Sequence, residues 1–255
     1  MGRYFLLNIG NTHTEFVHLT DVRDQLPAPR RLATDELDAA TLTELVRDCR
    51  HTIAAGVVPA VVERLRNACA PDRFHAVNAA AAAGLLDLSR VDTSTLGADR
   101  IANAVAAVRL VGTPVLVLDC GTALTTEAVD SDRCFRGGAI APGRRLLRNA
   151  LHDHTAQLPN VPMTGDLPNG LGTTTVAAIR AGVDRGAIGL ARELVTAARR
   201  ELGAPECPVL VTGGDAAFFL EFLSLPGLRA APPAFTLSGV QALAVQFLST
   251  TETPP

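Results

Sequence analysis

No apolar run in this 255-residue sequence reaches membrane-spanning length, and Arg109 interrupts the best candidate. The start, Met1-Gly2-Arg3-Tyr4, leads into too short an apolar run for a signal peptide. Basic charge is not in surplus either. A net charge of −3 and a pI near 6.1 give no electrostatic case for nucleic acid or an anionic membrane. Cysteine is sparse: Cys49, Cys69, Cys120, Cys134 and Cys207 are odd in number, scattered and without a CxxC pair. That argues against a zinc site or disulfide framework and reads as reduced thiols in a cytoplasmic protein. Lysine is absent, so arginine carries all the side-chain basic charge beyond histidine; with the abundant alanine this reads as coding-sequence base bias rather than function. What is present is a 47% hydrophobic, 19% charged composition, enough for a sizeable core in one large domain or two small ones.

Two apolar runs close on short glycine turns. Tyr4-Phe5-Leu6-Leu7-Asn8-Ile9 runs into Gly10-Asn11-Thr12, and Val115-Leu116-Val117-Leu118-Asp119 into Cys120-Gly121-Thr122-Ala123. Each reads as a hairpin opening a sheet. Between them, helical spacing is expected over Asp35–Arg50 and Val61–Ala70, and strands over His51–Val58 and Phe74–Val77. Ala79–Ser89 fits a helix by propensity or a loop. Gly97-Ala98-Asp99-Arg100 opens a helix to Leu110, and Gly112-Thr113-Pro114 is the best domain boundary. The pattern then resets. A third strand is expected over Cys134–Ile140, a basic helix over Arg144–His154, and a functional loop over Pro159–Gly172. Thr174–Leu202 reads as a long helix in which Gly182, Gly186 and Gly189 imply close packing or a break. Val209–Val211 leads into Thr212-Gly213-Gly214-Asp215 and a helix; Ser238–Phe247 closes the chain before a frayed tail at Thr250–Pro255. Strands and helices alternate in both halves, so the expectation is an α/β fold of two similar lobes, residues 1–112 and 113–255.

A glycine behind a strand turns the backbone tightly and lets N–H groups approach an anion without a Cβ in the way. Thr12 and Thr122 add hydroxyl donors. Asp119, at a strand end, suits Mg²⁺, which takes few carboxylates and keeps its water. A plain hairpin turn is the alternative for either turn alone; the pair, with the third glycine turn at Thr212–Asp215, favours a phosphate chain at the carboxyl ends of strands. Asp99 reads either as a helix N-terminal charge or as a base for a substrate alcohol, with Arg100 on an anionic group. Gly137–Gly143 reads as a strand whose glycines allow close approach, or tight packing on the next helix. His152 and His154, two apart, do not share a helix face, which favours a helix-end role over metal.

In this order the motifs resemble the type III pantothenate kinases, members of the acetate-and-sugar-kinase/actin-like superfamily, over nearly the whole chain. Asn8-Ile9-Gly10-Asn11-Thr12 resembles the first phosphate motif, Asp-x-Gly-Asn-Thr. Leu96-Gly97-Ala98-Asp99-Arg100 resembles Gly-Ala-Asp-Arg, and Asp119-Cys120-Gly121-Thr122-Ala123 resembles Asp-x-Gly-Thr-Ala. Gly137–Gly143 fits Gly-Gly-x-Ile-x-Pro-Gly, with Thr155–Pro159 following as in the family, and Thr212-Gly213-Gly214-Asp215-Ala216 fits the adenosine-side motif.

The resemblance implies ribonuclease H-like, actin-like lobes with the nucleotide in the cleft between them, and ATP-dependent phosphorylation of the primary hydroxyl of pantothenate, the first step to coenzyme A. It implies Asp99 as general base; Gly97, Arg100 and Thr175 on the substrate, Thr175 reaching the neighbouring subunit's site in a homodimer; and Asn8, Gly10, Asn11, Thr12, Gly121, Thr122, Gly213 and Gly214 on ATP. Asp119 would hold Mg²⁺ and Glu127 a monovalent cation, K⁺ or NH₄⁺. Four places depart from the pattern. Asn8 stands for Asp, Arg90 and Thr93 for a pocket tyrosine and a proline, Glu127 for Asp, and Thr174 for Asn. The departures leave open a catalytically impaired, ligand-binding regulatory homologue, or a kinase for another small hydroxy acid.

Overall fold

Tyr4–Ile9 is an apolar run interrupted only by Asn8, His13–Leu19 buries Thr14, Phe16, Val17 and Leu19, and Gly10-Asn11-Thr12 turns the chain between them; the two segments pair as antiparallel strands β1 and β2. The computed structural model describes residues 4–251, with side chains as far as Leu248; the expected tail beyond Thr251 lies outside the described residues. The chain continues through β3 (Arg30–Ala33), α1 (Ala39–Val46), β4 (His51–Gly56), α2 (Pro59–Ala68), β5 (Phe74–Ala76) and α3 (Ala98–Val111). After Gly112 come β6 (Val115–Cys120), β7 (Ala123–Val129), β8 (Phe135–Gly137), β9 (Ile140–Pro142), α4 (Arg144–Asp153), α5 (Thr175–Arg180), α6 (Gly186–Glu201), β10 (Val209–Thr212), α7 (Ala216–Phe222), β11 (Leu228–Ala230) and α8 (Phe235–Thr251).

Two compact units result. One takes Met1–Gly112, Arg133–Arg136 and Pro232–Pro255; the other takes Thr113–Asp132 and Gly137–Ala231. The closing helix, expected in the second lobe, therefore packs in the first. The reason is local: a Cβ on Gly239 of α8 would run into the Ala102 backbone of α3, and the Thr236 hydroxyl bonds Asn103 Oδ1 at 2.7 Å.

The first sheet has the order β3-β2-β1-β4-β5, with β1, β4 and β5 parallel and β2 and β3 antiparallel. The second runs β11-β10-β6-β7-β8, with β9 also on β7, and repeats the scheme: a hairpin, β6–β7, followed outward by two parallel strands, β10 and β11. The expected fold of two similar α/β lobes is what these pairings show. The central strands are buried on both faces, with Leu6, Val17 and Ile53 on one face of the first sheet and Val115, Val117 and Leu210 on one face of the second. On the opposite faces, Phe5, Leu7, Ile9 and Phe16 meet Leu42, Val61 and Leu65 in the first, and Leu116, Leu118, Val209 and Val211 meet Ala191, Val195, Phe218 and Phe219 in the second. Burying each large side chain contributes about 1.5–3 kcal/mol.

Three expectations change in detail. The single strand over Cys134–Ile140 is two, β8 and β9, because Gly137 turns at φ 101°. Ala79–Ser89 is mostly loop, with one 3₁₀ turn at Ala80–Ala82. The helix over Thr174–Leu202 is interrupted by a π turn at Ala181–Arg185. A Cβ on Gly182, Gly186 or Gly189 would meet nothing within 4 Å, so these glycines mark a break and an open face rather than close packing. All five cysteines are thiols, four of them buried.

Candidate functional site

The first hairpin turn is closed by a hydrogen bond from Gly10 N to His13 O at 3.1 Å. A Cβ on Gly10 would stand 2.9 Å from that oxygen, so the residue type is dictated by the turn. The Gly10 amide is thereby engaged inside the turn; exposed Asn11 and Thr12 form the outer surface. Thr34 fastens the turn from outside, its N–H on Thr12 O at 3.0 Å and its hydroxyl on Gly10 O at 2.7 Å. Asn8 Oδ1 is buried and has no hydrogen-bond partner.

Elsewhere in that unit, Gly97 caps α3 and Asp99 lies in its first turn. The Asp99 carboxylate accepts the Arg100 N–H at 2.8 Å, which satisfies one of the helix's orphan donors. A Cβ at position 97 would come within 2.6 Å of Asp99 Oδ1, so glycine there makes room for the carboxylate. Burial pushes the Asp99 carboxyl above the ordinary 3.8, against the opposing pull of the Arg100 N–H and guanidinium. The Arg100 guanidinium lies 5.8 Å from the Phe135 ring centroid. The helix-start acid is thus also a buried carboxyl with raised proton affinity. Arg90 and Thr93 are exposed on the loop before α3.

In the second unit three glycine motifs converge. Gly121 N bonds Ala123 O at 3.0 Å to close the β6–β7 turn, and Gly143 N bonds Thr122 O at 3.0 Å. A Cβ on Gly143 would collide with Gly121 O and Thr122 O, which explains the glycine after β9: it lets the start of α4 lie on the turn. Gly213 has φ +93°, and a Cβ there would meet Asp119 Oδ1 and the Cys120 carbonyl at 2.5–2.6 Å. Asp215 N bonds Cys120 O at 2.9 Å. Asp119 at the end of β6, the Gly121-Thr122 turn and the Gly213-Gly214 turn therefore share one end of the sheet, where Thr212 pairs with Asp119. Glu127 sits deeper, opposite Val117, fully buried, and accepts the Thr125 hydroxyl at 2.8 Å. Thr175 is the exposed first residue of α5, and Thr174 is its N-cap, its hydroxyl accepting Ala177 N at 3.2 Å. Asparagine and threonine both cap helices, so that departure keeps the local job.

An ion-pair lattice behind these turns was not legible as such. Arg144 donates from Nη1 to both Asp215 oxygens at 2.8 and 3.1 Å, and from Nε to Asp184 at 3.0 Å; Arg148 Nη2 donates to both Asp184 oxygens at 2.6 and 2.7 Å. Arg144 is 1% exposed, Arg148 1% and Asp184 0%. Arg144 also stacks on Phe218 at 3.4 Å and bonds Thr164 O, while Arg148 bonds Pro162 O, so the irregular Pro159–Gly172 loop is tied to the same lattice. Asp184 reaches it from the π turn. The available signal was the i, i+4 spacing of Arg144 and Arg148 directly after Gly143, on a helix read as merely basic. Burial raises the Asp215 carboxyl, opposed by Arg144.

Among the described residues no group of three His, Cys, Asp or Glu side chains could hold a metal. His152 instead bonds Leu158 O at the end of α4. That donor set still fits Mg²⁺ carried in by phosphate oxygens and water, which asks for one or two carboxylates such as Asp119.

The comparisons follow the same lines. The model of the type III pantothenate kinase family matches residues 4–197. A type III pantothenate kinase of Akkermansia muciniphila is 32% identical over 244 residues, covering 94% of this chain and 98% of its own. One of Cereibacter sphaeroides is 37% identical over 229 residues, covering 84% and 87%. In fold, the chain is similar to a Campylobacter jejuni structure described as a Baf family transcriptional activator, with TM-score 0.61 at 18% identity over 96% of this chain and 99% of that one. On sequence match and motif order together, the chain belongs to the type III pantothenate kinase family.

Proposed function

We propose that this protein transfers the terminal phosphoryl group of ATP to the primary hydroxyl of pantothenate, giving 4'-phosphopantothenate and ADP at the first step of coenzyme A synthesis. Family membership supports the reaction. On this chain, the carrying observation is Asp99: a carboxylate with a raised affinity for protons, fixed at a helix start behind a glycine that leaves it room. Asp99 takes the hydroxyl proton as the oxygen bonds the γ-phosphorus; the bond from that phosphorus to the β–γ bridging oxygen breaks and ADP leaves. Gly97 and Arg100 take the acceptor, Arg100 at its carboxylate. Asn8, Gly10, Asn11, Thr12, Gly121 and Thr122 take the phosphates, and Gly213 and Gly214 the adenosine side. When bound, Mg²⁺ neutralises charge on the phosphates; Asp119 would hold it through water. Glu127, with the Thr125 hydroxyl, offers the oxygen donors suited to K⁺ or NH₄⁺.

We assign the protein to the cytoplasm and to a homodimer. Five thiols suit a reducing compartment. No helix among the described residues is long and apolar enough to cross a membrane. Ile140, Leu146, Leu171 and Val176 are exposed in one stretch of the second unit, and Gly182, Gly186 and Gly189 follow at helical spacing with open space before them. In that homodimer Thr175 would reach the neighbouring subunit's acceptor, as the family resemblance implies. Light scattering is expected to give a dimer, and Val176→Glu a monomer.

The test of function is ADP release from ATP, Mg²⁺, K⁺ and pantothenate. Turnover near one per second or above establishes the kinase. Release only with another hydroxy acid moves the acceptor, and nucleotide binding without release under any condition leaves a regulatory homologue.

A further inference from the structure

Asn8 and Asp119 each stand two residues before the glycine of their turn, yet one is an amide and the other an acid. We propose that Glu15 supplies the negative charge that position 8 lacks, so that Asn8 and Glu15 together form the oxygen-donor pair the first hairpin turns toward the Mg²⁺ of the bound nucleotide. This rests on the nucleotide reading above.

The pairing of β1 with β2 sets Glu15 directly opposite Asn8. Opposed residues of an antiparallel pair project from the same face with Cβ atoms about 4.5–5.5 Å apart. Phe5, Leu7, Ile9 and Phe16 occupy the other face, in the core against α1 and α2, so the period of two turns Asn8 and Glu15 away from that core. Neither side chain is satisfied by protein. Asn8 Oδ1 is buried without a hydrogen-bond partner, and the carboxylate of half-buried Glu15 makes no ion pair and accepts no hydrogen bond among the described residues. A buried carbonyl oxygen with no donor is costly. Glu15 lies between Asn8 on β1 and Arg31 on β3, and its carboxylate makes no ion pair with Arg31 among the described residues, which leaves it available to a cation beside Asn8.

The second hairpin supports the substitution by symmetry. There the acid, Asp119, lies on the first strand, and the residue opposite it, Thr125, is neutral. In the first hairpin the neutral residue is on the first strand and the acid on the second. Each hairpin thus carries one carboxylate at this level. An aspartate at position 8 with Glu15 retained would set two like charges face to face, which is destabilising. Asn8 and Glu15 are mutually consistent, and the change at position 8 relocates the charge by one strand rather than deleting it.

The test compares the full-length wild type with Glu15→Gln, Asn8→Asp and the double variant Asn8→Asp/Glu15→Gln, each saturated with AMPPNP. Mn²⁺ stands in for Mg²⁺ and its binding is read by electron paramagnetic resonance. Calorimetry with EDTA reads AMPPNP binding without metal, and thermal melts verify folding. Glu15→Gln is expected to weaken Mn²⁺ by about tenfold or more, on the scale of lost metal-site support, and the double variant to return to within about threefold of wild type. Wild-type Mn²⁺ affinity in Glu15→Gln, or a double variant no better than Glu15→Gln, overturns the proposal while AMPPNP binding leaves the nucleotide reading standing. A wild type that binds no AMPPNP overturns both.

Discussion

The two hairpins meet the same geometric demand by different means. The β1–β2 turn is three residues long and is fastened from outside by one side chain, Thr34. The β6–β7 turn is two residues long and is wedged between backbones: Gly143 lies on one side of it, and Gly213 packs on the Asp119–Cys120 end of β6. Behind the second stands a buried lattice of two arginines and two aspartates; behind the first stands Asn8 with an unsatisfied oxygen. The second turn is held by backbone and ion pairs, the first by a single residue. Both units nonetheless keep groups whose needs the protein alone does not meet: Asn8 Oδ1 and Asp99 with its elevated proton affinity in the first, Arg148 Nε and the raised Asp215 carboxyl in the second. Sites that do chemistry commonly carry such local costs.

The widest expected separation is between the two units' central acids. Asp99→Asn should lower kcat by about 10²–10⁴-fold with the melting temperature unchanged or raised. The sign follows from linkage. A carboxyl whose folded pKa lies above its unfolded value contributes stability below that unfolded value and loses it as pH rises through the folded pKa. At neutral pH the ionised form is therefore a burden that asparagine removes. For the same reason the acid limb of kcat/KM in the wild type should lie above 3.8 and vanish in the variant. Turnover by Asp99→Asn at wild-type rates would remove it from the mechanism.

Asp184→Asn should do the reverse. It strips the counter-charge from two buried guanidiniums and is expected to cost about 3–5 kcal/mol in urea unfolding. A loss under about 1 kcal/mol would mean the lattice is no more than a surface pair. Gly213→Ala should weaken AMPPNP binding more than Gly10→Ala does, because it adds left-handed strain to a backbone collision where Gly10 meets a single oxygen; calorimetry on both variants decides, and equal losses would erase the contrast between the turns. Smallest is Thr34→Val, expected to cost about 1 kcal/mol through the unpaired Gly10 carbonyl and Thr14 hydroxyl. No change in its denaturation midpoint would show the first turn to be held by the strands alone.

Both hairpins were legible because an apolar run ends at a polar residue and a glycine turn, a signal carried in a few consecutive residues. Asp99 was legible as a helix-start acid; its burial, which raises its proton affinity, was not, because it depends on packing. What escaped was long-range or independent of side-chain type. Gly182, Gly186 and Gly189 announced a break or close packing, but not that the break is a π turn, which differs from an α-helix by one step in the backbone hydrogen bond. Arg144 and Arg148 read simply as part of a basic helix; the acids that make their burial tolerable lie far along the chain, Asp184 36 residues from Arg148 and Asp215 71 residues from Arg144. That Gly143 serves the Gly121 turn needed the contact itself. The placement of α8 in the first unit was hidden because chain order says nothing about which sheet a terminal helix will cover.

That placement bears on how the chain is made. Residues 113–231, bar the four of Arg133–Arg136, complete the second unit well before the ribosome reaches α8. Until then α3 lacks the helix that Gly239 lets in against Ala102, and the face of α3 around Ala102 and Asn103 stays uncovered. The order of synthesis is thus the reverse of the order of numbering: the first unit begun is the last finished, and for the interval between, the nascent protein presents an uncovered helix face to chaperones.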